Sequence, residues 1–90
     1  MRYRYTAVVD PTRVRNNFED EVMSAAELAG ASEIEFHEDE EERKPSVSFV
    51  VDASNEHTAL NLGHEVMRSV LGGKLTEGVV SNWRASSGPE

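Results

Sequence analysis

The chain has 90 residues, 17 Asp and Glu against 9 Lys and Arg, a formal net charge of −8 at pH 7, and no cysteine. That length supports one domain with a single modest core. The missing cysteine excludes disulfides, thiolate catalysis, iron–sulfur ligation and Cys-based zinc sites together. The acidic balance works against binding a phosphate backbone, and no apolar run approaches the roughly 20 residues that span a bilayer. The start, Met1 to Thr6, has no apolar stretch and no small-residue cleavage site, so no secretory signal is expected and a cytoplasmic location is the default.

Tyr3 to Val9 alternates, with Tyr3, Tyr5, Ala7 and Val9 on one face and Arg4, Thr6 and Val8 on the other, which predicts a half-buried strand. Asp10-Pro11 predicts a helix start, a carboxylate at the N-cap followed by a proline tolerated at the first helical position. Val14, Phe18, Val22, Ala25 and Ala29 then recur at three- and four-residue spacing as one helical stripe, and Gly30 supplies a stop. Ser32 to Glu38 predicts a second strand, Ile34 and Phe36 inward, Glu33, Glu35 and His37 outward. The run from Glu38 to Lys44 predicts a long hairpin loop, ended by Pro45 at the first position of a third strand that points Val47, Phe49 and Val51 inward and Ser46, Ser48 and Val50 outward.

Ser54 or Asn55 can cap a second helix reaching about Leu71, with Leu60, Gly63, Met67, Val70 and Leu71 as its apolar stripe, widened by Ala59 and Val66. Glycine in a helix interior costs roughly 1 kcal/mol relative to Ala, so Gly63 on that stripe implies close approach to the sheet. His57 and His64 read as a polar outer stripe. Gly72-Gly73 ends the helix. Gly78 to Ala85 predicts a fourth strand with Val79, Ser81, Trp83 and Ala85 inward and Val80, Asn82 and Arg84 outward, and residues 86–90 read as a tail.

Two pairs of matching triplets point to a repeated strand–helix unit, although six matched positions do not establish a duplication. Val8-Val9-Asp10 and Val50-Val51-Asp52 end strands, and Glu21-Val22-Met23 and Glu65-Val66-Met67 lie in helices, at offsets of 42 and 44 residues. The order β-α-β-β-α-β over residues 1–85 is that of a ferredoxin-like α+β sandwich, a four-stranded antiparallel sheet with both helices on one face and the first and third strands at its centre.

The opposite face of such a sheet is where a partner is expected. An RNA-recognition domain needs exposed aromatics in its third strand, and Ser46 and Ser48 stand there instead. Two sheets closed face to face would make a dimeric α/β-barrel enzyme or small-ligand binder, but pocket walls are mostly apolar and only Val8, Val50 and Val80 qualify. No nucleophile–base pair, metal set, cofactor motif or phosphate cradle is identifiable, so catalysis is not expected.

Charge segregation points elsewhere. Between Phe18 and Glu42 stand eleven acids and not one Lys or Arg, whereas the first fifteen residues carry Arg2, Arg4, Arg13 and Arg15 against Asp10 alone. The molecule therefore reads as polarised, with a basic patch near its N-terminus. The reading that follows is a protein-protein interaction or modulator module, its partner another protein or a second copy of itself. Glu33, Glu35, Glu38, Asp39, Glu40, Glu41 and Glu42 are the partner-binding candidates. Direct nucleic-acid and membrane contacts are not expected. In one variant the acids mimic DNA to inhibit a nucleic-acid-binding protein; in the bland one they only solubilise.

Overall fold

The computed structural model describes residues 1–14, 17–41, 43–72 and 79–87. Arg15, Glu42, Gly73, Gly78 and the expected tail from Gly88 to Glu90 lie outside the described residues, as do the side chains of Arg13 and Asn82. In order come β1 (Arg2–Val9), a 3-10 turn (Pro11–Arg13), α1 (Phe18–Leu28), β2 (Ser32–Asp39), β3 (Lys44–Asp52), α2 (Glu56–Leu71) and β4 (Val80–Ser87). The protein is α+β, with an antiparallel sheet ordered β2-β3-β1-β4. Among the described residues no helix is long and apolar enough to cross a membrane.

Both helices pack on the sheet face that carries Tyr5, Ala7 and Val9 from β1 and Val47, Phe49 and Val51 from β3, joining one core cluster through Phe18, Val22 and Ala26 of α1 and Ala59, Val66 and Met67 of α2. Tyr5 is its hub. Its ring is fully buried, stacks on Phe49 at a centroid distance of 5.1 Å, and lies so close to Gly63 that any Cβ there would overlap it. Gly63 thus supplies the close approach its place on the stripe implies.

Several expectations are corrected. Asp10 caps only a short turn, its Oδ1 accepting from the Thr12 amide at 3.0 Å and the Thr12 hydroxyl at 2.8 Å. The chain is extended again at Val14, and α1 begins at Phe18, so Val14 is no part of that helix. The buried α1 stripe is Phe18, Val22 and Ala26, spaced by four; Ala25 is half-buried and Ala29 exposed. Gly30, at φ 86°, lets the Gly30 amide reach the Glu27 carbonyl at 3.0 Å and the Ala31 amide reach the Ala26 carbonyl at 2.8 Å. These bonds make a Schellman stop.

The hairpin is tighter than expected. Glu38 and Asp39 pair with Pro45 and Lys44, leaving a loop of residues 40–43 closed by the Arg43 amide on the Asp39 carbonyl at 2.7 Å, with Arg43 at φ 56°. Ile34 and Phe36 are half-buried rather than core, because β2 is an edge strand. Leu60 and Val70, also expected inside, pack half-buried at the cluster's rim with Val14.

The fourth strand carries a bulge opposite Ala7. Thr6 pairs with Arg84 but Val8 pairs with Ser81 and Val9 with Val80. The extra residue turns Val80 to the helix face and Ser81 to the open face, the reverse of strict alternation. The strand continues past Ala85, with Ser86 and Ser87 opposite Arg4 and Tyr3.

Candidate functional site

Paired residues share a face, so the register lays out the open side of the sheet in rows. One row reads Glu35, Ser48, Thr6, Arg84; a second reads His37, Ser46, Val8, Ser81; a third reads Ser32, Val50, Arg4, Ser86. Opposite charges stand at the two ends of the first row, as the strand order requires. Arg4 rises from the central strand and lies over β3. Its Nη1 donates to Ser48 Oγ at 3.3 Å and its Nη2 to Glu33 Oε1 at 3.3 Å.

Glu33 reaches this position because β2 is bulged between Ser32 and Glu35, with Glu33 itself at φ 52°. Its carboxylate also pairs with Arg2. The N-terminal Arg2 and Arg4 are therefore bound to the acidic run rather than forming a separate basic patch. Beneath this bridge Ser48 and Val50 are 5% and 6% exposed, and on the same face Val8 is 1% exposed. These three were expected at the surface. Since the β4 bulge has turned Val80 inward, none of the three valines named as pocket wall is free to line one.

Glu35 is engaged separately, its Oε1 lying 2.7 Å from His37 Nε2. That hydrogen bond is the main reason the Glu35 carboxyl lies below its ordinary value; desolvation opposes it, and the Arg4 and His37 charges add to the lowering. Glu33 and Glu35 thus serve different partners and do not face one another across a groove. Among the described residues no group of three or more His, Asp or Glu could hold a metal ion.

Of the seven partner-binding candidates, Glu33 and Glu35 belong to this internal network. Glu38 is exposed opposite Pro45, Asp39 half-buried opposite Lys44, and Glu40 and Glu41 exposed in the loop; Glu42 lies outside the described residues. Three further acids sit exposed on α1, namely Glu19, Asp20 and Glu27. Because α1 packs over β2, these and the hairpin acids flank the same edge of the sheet.

Sequence reasoning missed the environment of His64. It is half-buried, not part of an outer stripe: its Nδ1 lies 3.2 Å from Tyr5 Oη, and its ring sits 4.1 Å from that of Trp83. Burial pushes the Tyr5 phenol well above its ordinary value, while burial and the Arg68 charge push His64 below its own. A protonated phenol facing a neutral imidazole can donate into Nδ1, which places the ring proton on Nε2. The available signal was spacing, since His64 follows Gly63 and lies four residues from Leu60, on the margin of the apolar stripe.

Also missed was Leu28, 90% exposed near the C-terminus of α1. It falls outside the stripe that periodicity assigns to the core, which was the cue. The sequence matches no protein-family model and no curated protein.

Proposed function

We propose that this chain is a ferredoxin-like domain that serves as a protein-interaction module, presenting the edge formed by α1, β2 and the β2–β3 hairpin to a basic surface on another protein. The fold reading is supported by the element order and by a sheet order that puts β1 and β3 in the middle. One observation carries the functional reading. Glu19, Asp20, Glu27, Glu38, Glu40 and Glu41 are all exposed on those elements, with only Arg43 and Lys44 of the hairpin to offset them among the described residues. Such a field speeds encounter with a cationic partner and disfavours anionic ones. A face-to-face barrel finds less support, because Val8 and Val50 are already buried within one chain.

The test compares wild type with two variants, Glu19→Gln/Asp20→Asn/Glu27→Gln and Glu38→Gln/Glu40→Gln/Glu41→Gln, as baits in affinity capture from the native host. A basic partner should be held by wild type, lost by at least one variant, and released as salt screens the charges. A specific partner retained equally by all three baits at low and high salt would remove the acidic edge from the contact.

A further inference from the structure

On the outer side of the helix layer, away from the sheet, a groove of about 710 Å³ runs between α1 and α2. Ala25 and Ala29 of α1 and Val66 and Val70 of α2 line it, with Leu28 beside them. Ser24 and Ser69 are small as well, so the walls stay low and the cleft stays open where larger residues would have closed it. Leu28 is the largest apolar side chain on its lining and is 90% exposed, apolar area that a partner would remove from water.

We propose that this groove receives the apolar side chains of a basic amphipathic helix from a partner protein. The rim selects the charge. Asp20 and Glu21 stand along the α1 side, whereas Glu65 on the α2 side is already paired to Arg68 at 3.1 Å, so a helix that buries leucines here is favoured by cations on the flank that faces α1. A second copy of this chain is the wrong occupant. A two-fold contact through the groove would bring one acidic rim onto the other, between molecules that each carry a net charge of −8. The scale also fits: the 11 residues of α1 extend about 16 Å, enough for three turns of a partner helix anchored at i, i+4 and i+7. This inference rests on the proposed basic partner and adds where its apolar residues go.

The experiment titrates the ¹⁵N-labelled protein with a synthetic helical peptide of Lys and Leu, Leu at i, i+4 and i+7, and with a control carrying Ser in place of each Leu. Amide shifts should centre on residues 24–29 and 65–70 with the first peptide only. Leu28→Ser removes an exposed contact and Ser24→Trp fills the cleft from an exposed position, so neither disturbs the core. Each should weaken binding about tenfold. Shifts centred elsewhere, or both variants binding like wild type, would overturn the proposal. A Glu38→Gln/Glu40→Gln/Glu41→Gln variant separates the two readings. Binding lost with Leu28→Ser but unchanged by the hairpin variant keeps the groove and removes the hairpin from the contact. Binding lost with the hairpin variant and indifferent to both groove variants leaves an electrostatic contact without the groove.

Discussion

His64 contributes to stability in a way that depends on its being neutral. Half-buried between α2 and β4, it meets the Tyr5 hydroxyl from β1, the Trp83 ring from β4 and the Arg68 charge from its own helix. Its folded pKa is depressed, so the unfolded chain takes up the proton first as pH falls. The contribution is complete above the unfolded value near 6.5 and is lost as pH drops from there through the lower folded value. Chemical denaturation of wild type and His64→Gln across pH 5 to 8 is the measurement. Wild type should lose more stability than the variant on acidification; parallel profiles would mean that His64 takes up its proton as readily in the fold as in the unfolded chain.

At the scale of the element, the two strands flanking the hairpin differ in depth. Phe49 on β3 is fully buried against Tyr5, whereas Phe36 on the edge strand is half-buried. Truncating a buried aromatic costs about 3–5 kcal/mol. Phe49→Ala should reach that range and Phe36→Ala should fall clearly below it, about 1–2 kcal/mol by the smaller area it removes from water. Urea midpoints for the two variants decide the matter, and equal losses would mean that β2 is covered in solution.

What was legible in the sequence follows the same division. Period-two and near-four patterns placed β1, β3 and α2 because each buries a continuous stripe, and the two Val-Val-Asp ends fell on adjacent central strands. The duplicated Glu-Val-Met shows the limit of such matching. Val22 and Val66 are both buried, but Met67 is fully buried while Met23 is 42% exposed. The helices meet the sheet at different rotations, which an identical triplet cannot reveal. Bulges were illegible for a related reason. A single extra residue at Asn82 or Glu33 leaves composition and spacing almost untouched, yet decides whether Val80 or Ser81 faces the core and whether Glu33 can reach Arg2 and Arg4. The Arg2–Glu33–Arg4 bridge joins residues from strands separated by β3, so no local pattern records it.

At the scale of the whole molecule, net charge dominates. With −8 spread over 90 residues, the folded state carries self-repulsion that salt screens. Among the described residues the ion pairs lie mostly at exposed side chains, where each is worth only about 0–1 kcal/mol. Moderate sodium chloride at neutral pH should therefore raise the melting temperature, as scanning calorimetry would show. A fall would mean that the attractive pairs outweigh the repulsion among the acids.

β1 lies in the interior of the sheet, but its hydrogen-bonding neighbours come from residues 44–52 and 80–87. Translation delivers about 5–20 residues per second, so several seconds separate the synthesis of β1 from that of its second neighbour. The strand that finishes at the centre is made before either of its neighbours and fully paired last. During that interval Tyr3 to Val9 leaves the ribosome as a strand segment with one apolar face and at least one edge unsatisfied, open to a holding chaperone or to the same segment of a neighbouring nascent chain.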